Sequence, residues 1–295
     1  MGTTRPPART RRRNPAGQVA SRTKVRQDGG HRPLGPYSDA MTLLGFDHYH
    51  AEIVRQTDLL RTYLKEADPT APVPSCPDWD LGQLVRHLGG AHGWAETAVR
   101  TRATEPVPDD PVNDIPRRTG EDPAALAARL ADGAVRLADA LRDAGPDTAV
   151  WTPGPGGTAM FWARRMTHET LVHRADAALA VGAEFTASEE VALDALDEWL
   201  TYSTLPEAYE GTPALLGPGR TVQLHATDTG SDWLVDLTAD APVLRHTAQP
   251  AAVEIRGTLT DLLLLVYRRP APTVKVTGDT ALLELWLTRS GFWLR

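Results

Sequence analysis

One short stretch of the chain, MTHETLVHRAD, concentrates side chains that bind metal ions, and apolar spacing predicts a helix around it over residues 159–181. Because each helical residue advances about 100°, Glu169 and His173, four apart, share a face, and Asp176 joins that face. His168 and His173 are five apart, roughly 140° around the helix, so they cannot easily share an ion. The spacing therefore favours the pair Glu169 and His173, and it departs from the zinc-protease pattern HExxH.

A catalytic zinc-type site takes three protein ligands, so a third side chain has to come from another helix. His87 is the best candidate, because it lies in a second predicted helix with Leu84 and Leu88 beside it. The weaker alternatives are three other histidines, His92, His48 and His50. Without a metal, Glu169 and His173 would form an ordinary helical pair worth a few tenths of a kcal/mol.

Asp176 and Cys76 are further polar candidates near this pattern. A carboxylate three residues after His173 can orient a metal-bound imidazole. Alternatively, Asp176 forms a salt bridge with a nearby arginine; the candidates are Arg164, Arg165 and Arg174. Cys76, between Ser75 and Pro77, has no local base that would activate a thiol, and we interpret it as structural.

The elements that must position these residues are mostly helical up to about residue 216. Apolar periodicity and capping signals predict four or five helices with no strand pattern between them, which favours a bundle. Asp80 and Gln83 form a capping box for the helix that carries His87, and Gly182 is the expected C-cap of the helix that carries Glu169. Loops rich in proline are predicted at 102–119 and in the segment WTPGPGGTAM, residues 151–160.

The pattern changes near residue 217. Strand-like alternation is predicted at 221–226, 233–237, 252–255 and 274–276, with helices at 259–268 and 280–289 between and after them. We therefore predict an α+β protein of three parts: a disordered basic extension over 1–40, a helical bundle over 41–216 and a small α+β domain over 217–295. The run Leu262–Val266 is expected to be core.

Composition limits the classes of partner. The chain carries a net charge of −7, which argues against nucleic acid, and no apolar run reaches the length of a membrane-spanning helix. The charge is unevenly spread, since residues 1–40 carry +7 and the remainder carries −14. A basic arm that contacts nucleic acid or a membrane is one interpretation of residues 1–40, and an inert extension is the one that we favour. The single cysteine fits a reducing cytoplasm.

Two motifs, CPDWDLGQLVRHLGGAH and, about 80 residues later, RMTHETLVHRADA, resemble the mycothiol-dependent maleylpyruvate isomerase family, actinobacterial proteins related to the DinB-like metal-binding bundles. The resemblance covers roughly residues 45–295. The segments LHATDTGSDW and GTLTDLLLLVYRR resemble the smaller, sterol-carrier-like α+β domain of that family. The fold that the resemblance implies is a DinB-like four-helix bundle followed by a small α+β domain.

The resemblance also implies a site and a chemistry. It gives His87, Glu169 and His173 as ligands of a divalent metal, most simply zinc. It also places an arginine of the second domain, Arg268 or Arg269, near that metal, where the guanidinium would bind the carboxylate of the substrate as part of the catalytic site. A low-molecular-weight thiol, mycothiol, would be the cosubstrate of an isomerase or S-transferase acting on a small electrophile. The rival interpretation is a non-catalytic protein of the same fold that binds a metal or a ligand.

Overall fold

A computed structural model describes residues 44–294. Their helical part contains four long helices, α1 (Phe46–Leu64), α2 (Leu81–Arg100), α4 (Pro123–Ala144) and α5 (Ala159–Val181), with a one-turn helix, α3 (Asp110–Asn113), between the second and third of them. The helices α6 (Glu189–Tyr202) and α7 (Pro206–Tyr209) follow. None of the helices described has the length and apolar character needed to cross a bilayer.

Both capping signals predicted for the helices that carry the candidate ligands are present in the structure. The side chain of Asp80 accepts a hydrogen bond from the backbone N–H of Gln83, whose own side chain accepts from the N–H of Asp80, so the capping box before α2 is confirmed. Gly182 ends α5 in the left-handed conformation, with φ of 66°. These caps fix the ends of the two helices that carry the candidate ligands.

The helices α1, α2, α4 and α5 pack against one another around an apolar interior. Ile53, Leu88, Leu137 and Trp162 are fully buried there, each from a different helix. Burying such side chains contributes roughly 1.5–3 kcal/mol apiece, which holds the helix pair α2 and α5 at close range.

A five-stranded sheet follows, in the order β3-β2-β1-β4-β5. Its strands are β1 (Thr221–Ala226), β2 (Asp232–Asp236), β3 (Val243–Arg245), β4 (Val253–Gly257) and β5 (Lys275–Gly278). The central strands β1 and β4 are parallel, while the other pairs are antiparallel. The chain is therefore an α+β protein with an N-terminal helical part and a C-terminal α+β part, as predicted.

Two helices of the C-terminal part, α8 (Leu259–Val266) and α9 (Thr280–Ser290), share one apolar core with the sheet and with α6. Trp199, Trp233 and Trp286 lie in it, and so do Leu262, Leu263 and Val266. The expectation that the run at 262–266 is core is thus confirmed for its buried members. Because α6 shares this core, the helical part and the sheet are in direct contact; the predicted division at residue 217 stays a prediction.

Four short elements of the described chain were not predicted: strand β3, the one-turn helices α3 and α7, and a 3-10 turn at Gly291–Leu294 after α9. Strand β3 has three residues, too few for an alternation to be visible. The one-turn helix α3 begins one residue before a proline, and α7 begins at a proline. Proline in a short polar segment predicts a loop, so the composition gave no sign of either helix. The predicted loop at 102–119 is therefore wrong at 110–113, and this turn of helix matters for the site below. The predictions for residues 1–40 lie outside the described part of the chain.

Candidate metal centre

Three polar side chains converge between α2 and α5. The Nε2 atoms of His87 and His173 lie 3.3 Å and 3.1 Å from the same carboxylate oxygen, Oε1 of Glu169. One donor atom from each residue falls within 4.8 Å of the others. Donors bound about 2.1 Å from one tetrahedral ion lie about 3.4 Å apart, so this spacing suits a metal ion.

His87 is held by the loop that precedes α4. Its Nδ1 donates to the backbone carbonyl of Val112, 2.8 Å away, which leaves Nε2 directed at Glu169. The indole of Trp79 covers the imidazole, with ring centroids 4.9 Å apart. A backbone carbonyl can only accept, so the proton of neutral His87 is on Nδ1 and the lone pair is on Nε2.

Asp176, one turn further along α5, fixes Nδ1 of His173 as the carbonyl of Val112 fixes Nδ1 of His87. Nδ1 of His173 lies 2.8 Å from Oδ2 of the fully buried Asp176. Burial alone would lower the pKa of His173, but Glu169 and Asp176 outweigh it and raise that pKa to about 9. Burial by itself raises the pKa of Asp176, yet bonds from Arg269 and His173 hold it well below its usual range.

Glu169 has one oxygen free for the centre and one committed elsewhere. Its Oε2 accepts from Nη2 of Arg165 at 3.0 Å, one turn earlier on α5, while Oε1 faces the two histidines. Burial would raise the pKa of Glu169, but His173, His87 and Arg165 together keep it well below its ordinary value. The carboxylate is therefore ionised at neutral pH.

These orientations bring two imidazole lone pairs and an anionic oxygen together. With the protons of His87 and His173 on Nδ1, neither neutral imidazole can donate to Glu169. The arrangement needs a cation between the three atoms, either a metal ion or an extra proton on a histidine. Without a metal, His173 supplies the positive charge, because its raised pKa lets the ring hold a second proton. With a metal, a divalent ion supplies the charge and uses all three donors.

A second group of potential ligands, Cys76, His173 and Asp176, lies on the other side of the His173 ring. Arg269 already supplies a positive charge to this group, because its Nη2 is 2.6 Å from Oδ2 of Asp176 and 3.8 Å from Sγ of Cys76. Burial and Asp176 raise the pKa of Cys76 to about 12, so the thiol is protonated and a poor ligand. We therefore assign no metal to this group.

The two arginines that the resemblance brought forward occupy different environments. Arg269 is nearly buried and holds Asp176 with two hydrogen bonds, Nε to Oδ1 at 2.8 Å and Nη2 to Oδ2 at 2.6 Å. Arg268 is exposed and pairs with Glu284 at 3.1 Å. The structure thus links Arg269, through Asp176, to His173, and describes no contact between Arg268 and the centre.

The helix end explains why neighbouring arginines diverge. Arg268 has φ of 64°, and the N–H groups of Arg268 and Arg269 bond the carbonyls of Leu265 and Leu264 at 2.8 Å each. These two bonds form a Schellman motif, which turns the chain sharply at the end of α8. Arg269 is thereby directed back into the protein, onto Asp176.

The remaining histidines near the predicted pattern have other partners. His92 is fully buried, bonds Thr170 at 2.9 Å, and has its pKa lowered to about 4 by burial. His48 faces Glu190 and His50 faces Asp47. The structure does not bring any of these three into the group formed by the candidate ligands.

His168 lies away from His173, as the helical spacing predicted. Its ring nitrogens lie 2.8 Å from Glu198 and 3.0 Å from Asp194, both on α6. Burial lowers the pKa of His168, but these carboxylates more than offset it and the pKa is raised. The same Glu198 also pairs with Arg165, so the buried charges of α5 and α6 form one network that reaches Glu169.

The sequence left two roles open for Asp176, orienting the His173 ring and pairing with an arginine. It did not predict two other groups that support the candidate ligands. None of the three arginines proposed for a salt bridge is the partner, since Arg164 bonds Asp194, Arg165 bonds Glu169 and Arg174 bonds Gln56. The carbonyl of Val112 and the guanidinium of Arg165 were not predicted. Arg165 had a signal, because it stands four residues before Glu169; a backbone carbonyl has none.

The fold and the centre define a class: a helical protein with an α+β C-terminal part and a candidate His₂Glu metal centre between two helices. The family model for the mycothiol maleylpyruvate isomerase N-terminal domain matches residues 50–178, and the model for the MDMPI C-terminal domain matches residues 190–285. The chain belongs to the mycothiol-dependent maleylpyruvate isomerase family.

Solved structures are similar in fold. A crystal structure of the mycothiol-dependent maleylpyruvate isomerase is 17% identical in sequence, with a TM-score of 0.58, and the match covers 81% of this chain and 97% of that one. A histidine-to-alanine mutant of that enzyme gives the same values. No curated protein sequence matches the chain.

Proposed function

We propose that the protein is a metal-dependent isomerase or S-transferase that uses a low-molecular-weight thiol, mycothiol, and acts on a small electrophile of the maleylpyruvate type. The observation that carries the proposal is the convergence of Nε2 of His87 and Nε2 of His173 on Oε1 of Glu169, while Nδ1 of each ring faces an oxygen acceptor. The three donors, His87, Glu169 and His173, leave coordination positions open for a thiol. Family membership supplies the thiol and the substrate class.

The proposed ligands are two nitrogens and one oxygen, a set that suits zinc and is also used for iron, nickel and copper. When bound, such an ion lowers the pKa of a coordinated thiol, so that the thiolate is available at neutral pH. We also propose a cytoplasmic location, because the chain has a single cysteine, which fits a reducing compartment.

The residues of this chain have defined tasks in the proposal. Val112, Arg165 and Asp176 each engage the second polar atom of one ligand, so that His87, Glu169 and His173 each present one donor atom. Such outer contacts typically contribute 10–100-fold to metal affinity. Arg269 acts in this scheme by holding Asp176, and Arg268 has no part in it.

The reaction proposed for an isomerisation conserves the thiol. The thiolate sulfur adds to one carbon of a cis double bond, and the electron pair moves towards the conjugated carbonyl. Rotation about the resulting single bond and elimination of the same thiolate give the trans isomer. With an electrophile that carries a leaving group, the same addition ends instead in S-transfer.

The test is a turnover assay with the metal-loaded full chain, mycothiol, maleylpyruvate and a panel of other small electrophiles. Wild type is expected to isomerise or thiolate at least one of them, and only with thiol present. The variant His173→Ala should lose at least 100-fold in kcat/KM. His225→Ala is the matched control, because His225 pairs with Asp232 on the sheet. Metal-loaded wild type without thiol-dependent turnover would instead favour the non-catalytic binding protein.

A further inference from the structure

The loop that contains α3 runs along one face of α2, and side chains of that face bind the loop. Trp94 Nε1 donates to the carbonyl of Val107 at 3.0 Å, and Gln83 Nε2 donates to the carbonyl of Ile115 at 2.8 Å. Between these two contacts, Nδ1 of His87 donates to the carbonyl of Val112. The loop therefore runs antiparallel to α2, and His87 is one of the side chains that bind it.

Gly90 occupies the same face, three residues from His87 and four from Trp94. A Cβ built on Gly90 would collide with the carbonyl oxygen of Pro111 and lie 2.9 Å from its carbon. Both are backbone atoms, which cannot move aside as a flexible side chain can. The close approach of the loop thus depends on the missing side chain of Gly90.

The neighbouring Gly89 differs. A Cβ on Gly89 would meet only Cδ1 of Leu130, at 4.0 Å, which is an ordinary van der Waals contact. Both glycines lie inside α2 and carry the same helix-propensity cost, roughly 1 kcal/mol relative to alanine. The two positions therefore form a matched pair that differs in contact with the loop.

We propose that Gly90 is a positioning residue for the metal centre: it seats residues 111 and 112 against α2 so that the Val112 carbonyl fixes the ring of His87. This inference rests on the proposed function, since it assumes that His87 is a ligand. The contact sets both the tautomer and the direction of the ring, because a proton held on Nδ1 leaves Nε2 as the donor to the ion.

The experiment compares Gly90→Ala with Gly89→Ala in the full chain, using competitive zinc titration and cobalt absorption spectra with a melting curve for each variant. Gly90→Ala is expected to weaken metal binding about 10–100-fold, the usual effect of losing an outer contact. Gly89→Ala should bind like wild type. Equal affinities in the two variants, with both folded, would overturn the proposal.

A second measurement needs no variant of Gly90, in case that protein does not fold. Nitrogen chemical shifts of the His87 ring in the metal-free wild type are expected to show the proton on Nδ1, and Val112→Ala, which keeps the carbonyl, should leave them unchanged. A proton predominantly on Nε2 would overturn the inference. Failure of the wild type to bind metal, with the Nδ1 proton present, would instead count against the proposed function alone.

Discussion

The position of Arg269 leads to a prediction that separates a supporting arginine from a substrate-binding one. Replacing it as Arg269→Met keeps much of the volume and removes both hydrogen bonds to Asp176. Asp176 is fully buried, so the variant leaves a carboxylate without its guanidinium partner. An arginine reserved for substrate would have no such buried partner.

The size of the effect follows from burial. Breaking a buried ion pair by removing one partner typically costs about 3–5 kcal/mol, because an uncompensated charge stays inside. His173 and the hydroxyl of Ser75, 2.6 Å from Oδ1, still bond Asp176, which argues for the lower end. We expect Arg269→Met to lower the free energy of unfolding by about 3 kcal/mol.

The assay is urea unfolding of the metal-free full chain, with Arg268→Met as the control. Arg268 is exposed and pairs with an exposed glutamate, so its loss should cost about 0–1 kcal/mol. If Arg269→Met and Arg268→Met unfold within 1 kcal/mol of each other (a difference too small for a buried ion pair), Arg269 is not the support of Asp176 that the structure describes. A raised KM with unchanged stability would point to direct substrate binding instead.

Three further predictions concern the surroundings of the centre. Arg268→Gly should raise the free energy of unfolding by about 1 kcal/mol in urea, because only glycine adopts a positive φ without strain, and a loss of stability would contradict this. Burial raises the pKa of Asp194, but bonds with His168 and Arg164 lower it from 3.8 to about 2, so its stabilisation is present above pH 4 and lost as the pH falls towards 2. Asp194→Asn should therefore be about 2 kcal/mol less stable than wild type at pH 6, with the gap closing below pH 4; a gap that is the same at both pH values would refute the assignment. Native Cys76, whose pKa is raised to about 12, should react with iodoacetamide at pH 8 far more slowly than the unfolded chain, and equal rates would show that the thiol is not protected.

Helical spacing predicted the arrangement of the candidate ligands on α5. Three facts were available from the letters alone: Glu169 and His173 share a face, His168 does not, and a third donor must come from another helix. The structure sets His168 against Glu198 and Asp194 and brings His87 to Glu169. Periodicity works here because both helices are long, with 20 residues in α2 and 23 in α5.

The supporting contacts could not be predicted, because they depend on tertiary packing. The carbonyl of Val112 reaches His87 only through a one-turn helix inside a Pro-rich loop, and a backbone group leaves no mark on the sequence. Gly90 did carry a signal, since a glycine in mid-helix suggests a close approach. The partner that approaches is the backbone of the loop that contains α3.

The choice between Arg268 and Arg269 was also beyond the sequence. The Schellman motif that separates them usually has glycine at the left-handed position, and here that position is Arg268. Because that position is not a glycine, the sequence gives no signal of the turn. Only the backbone shows that Arg269 is the one directed inwards.

The central claim is that His87, Glu169 and His173 bind one metal ion. Its most direct test is zinc titration of the purified full chain, compared with His87→Ala, Glu169→Gln and His173→Ala, and with His225→Ala as the control. We predict one tightly bound ion per chain in wild type and in the control, and affinities at least 100-fold weaker in each of the three variants. Zinc bound equally well by His87→Ala and wild type, or not bound by wild type at all, would contradict the claim.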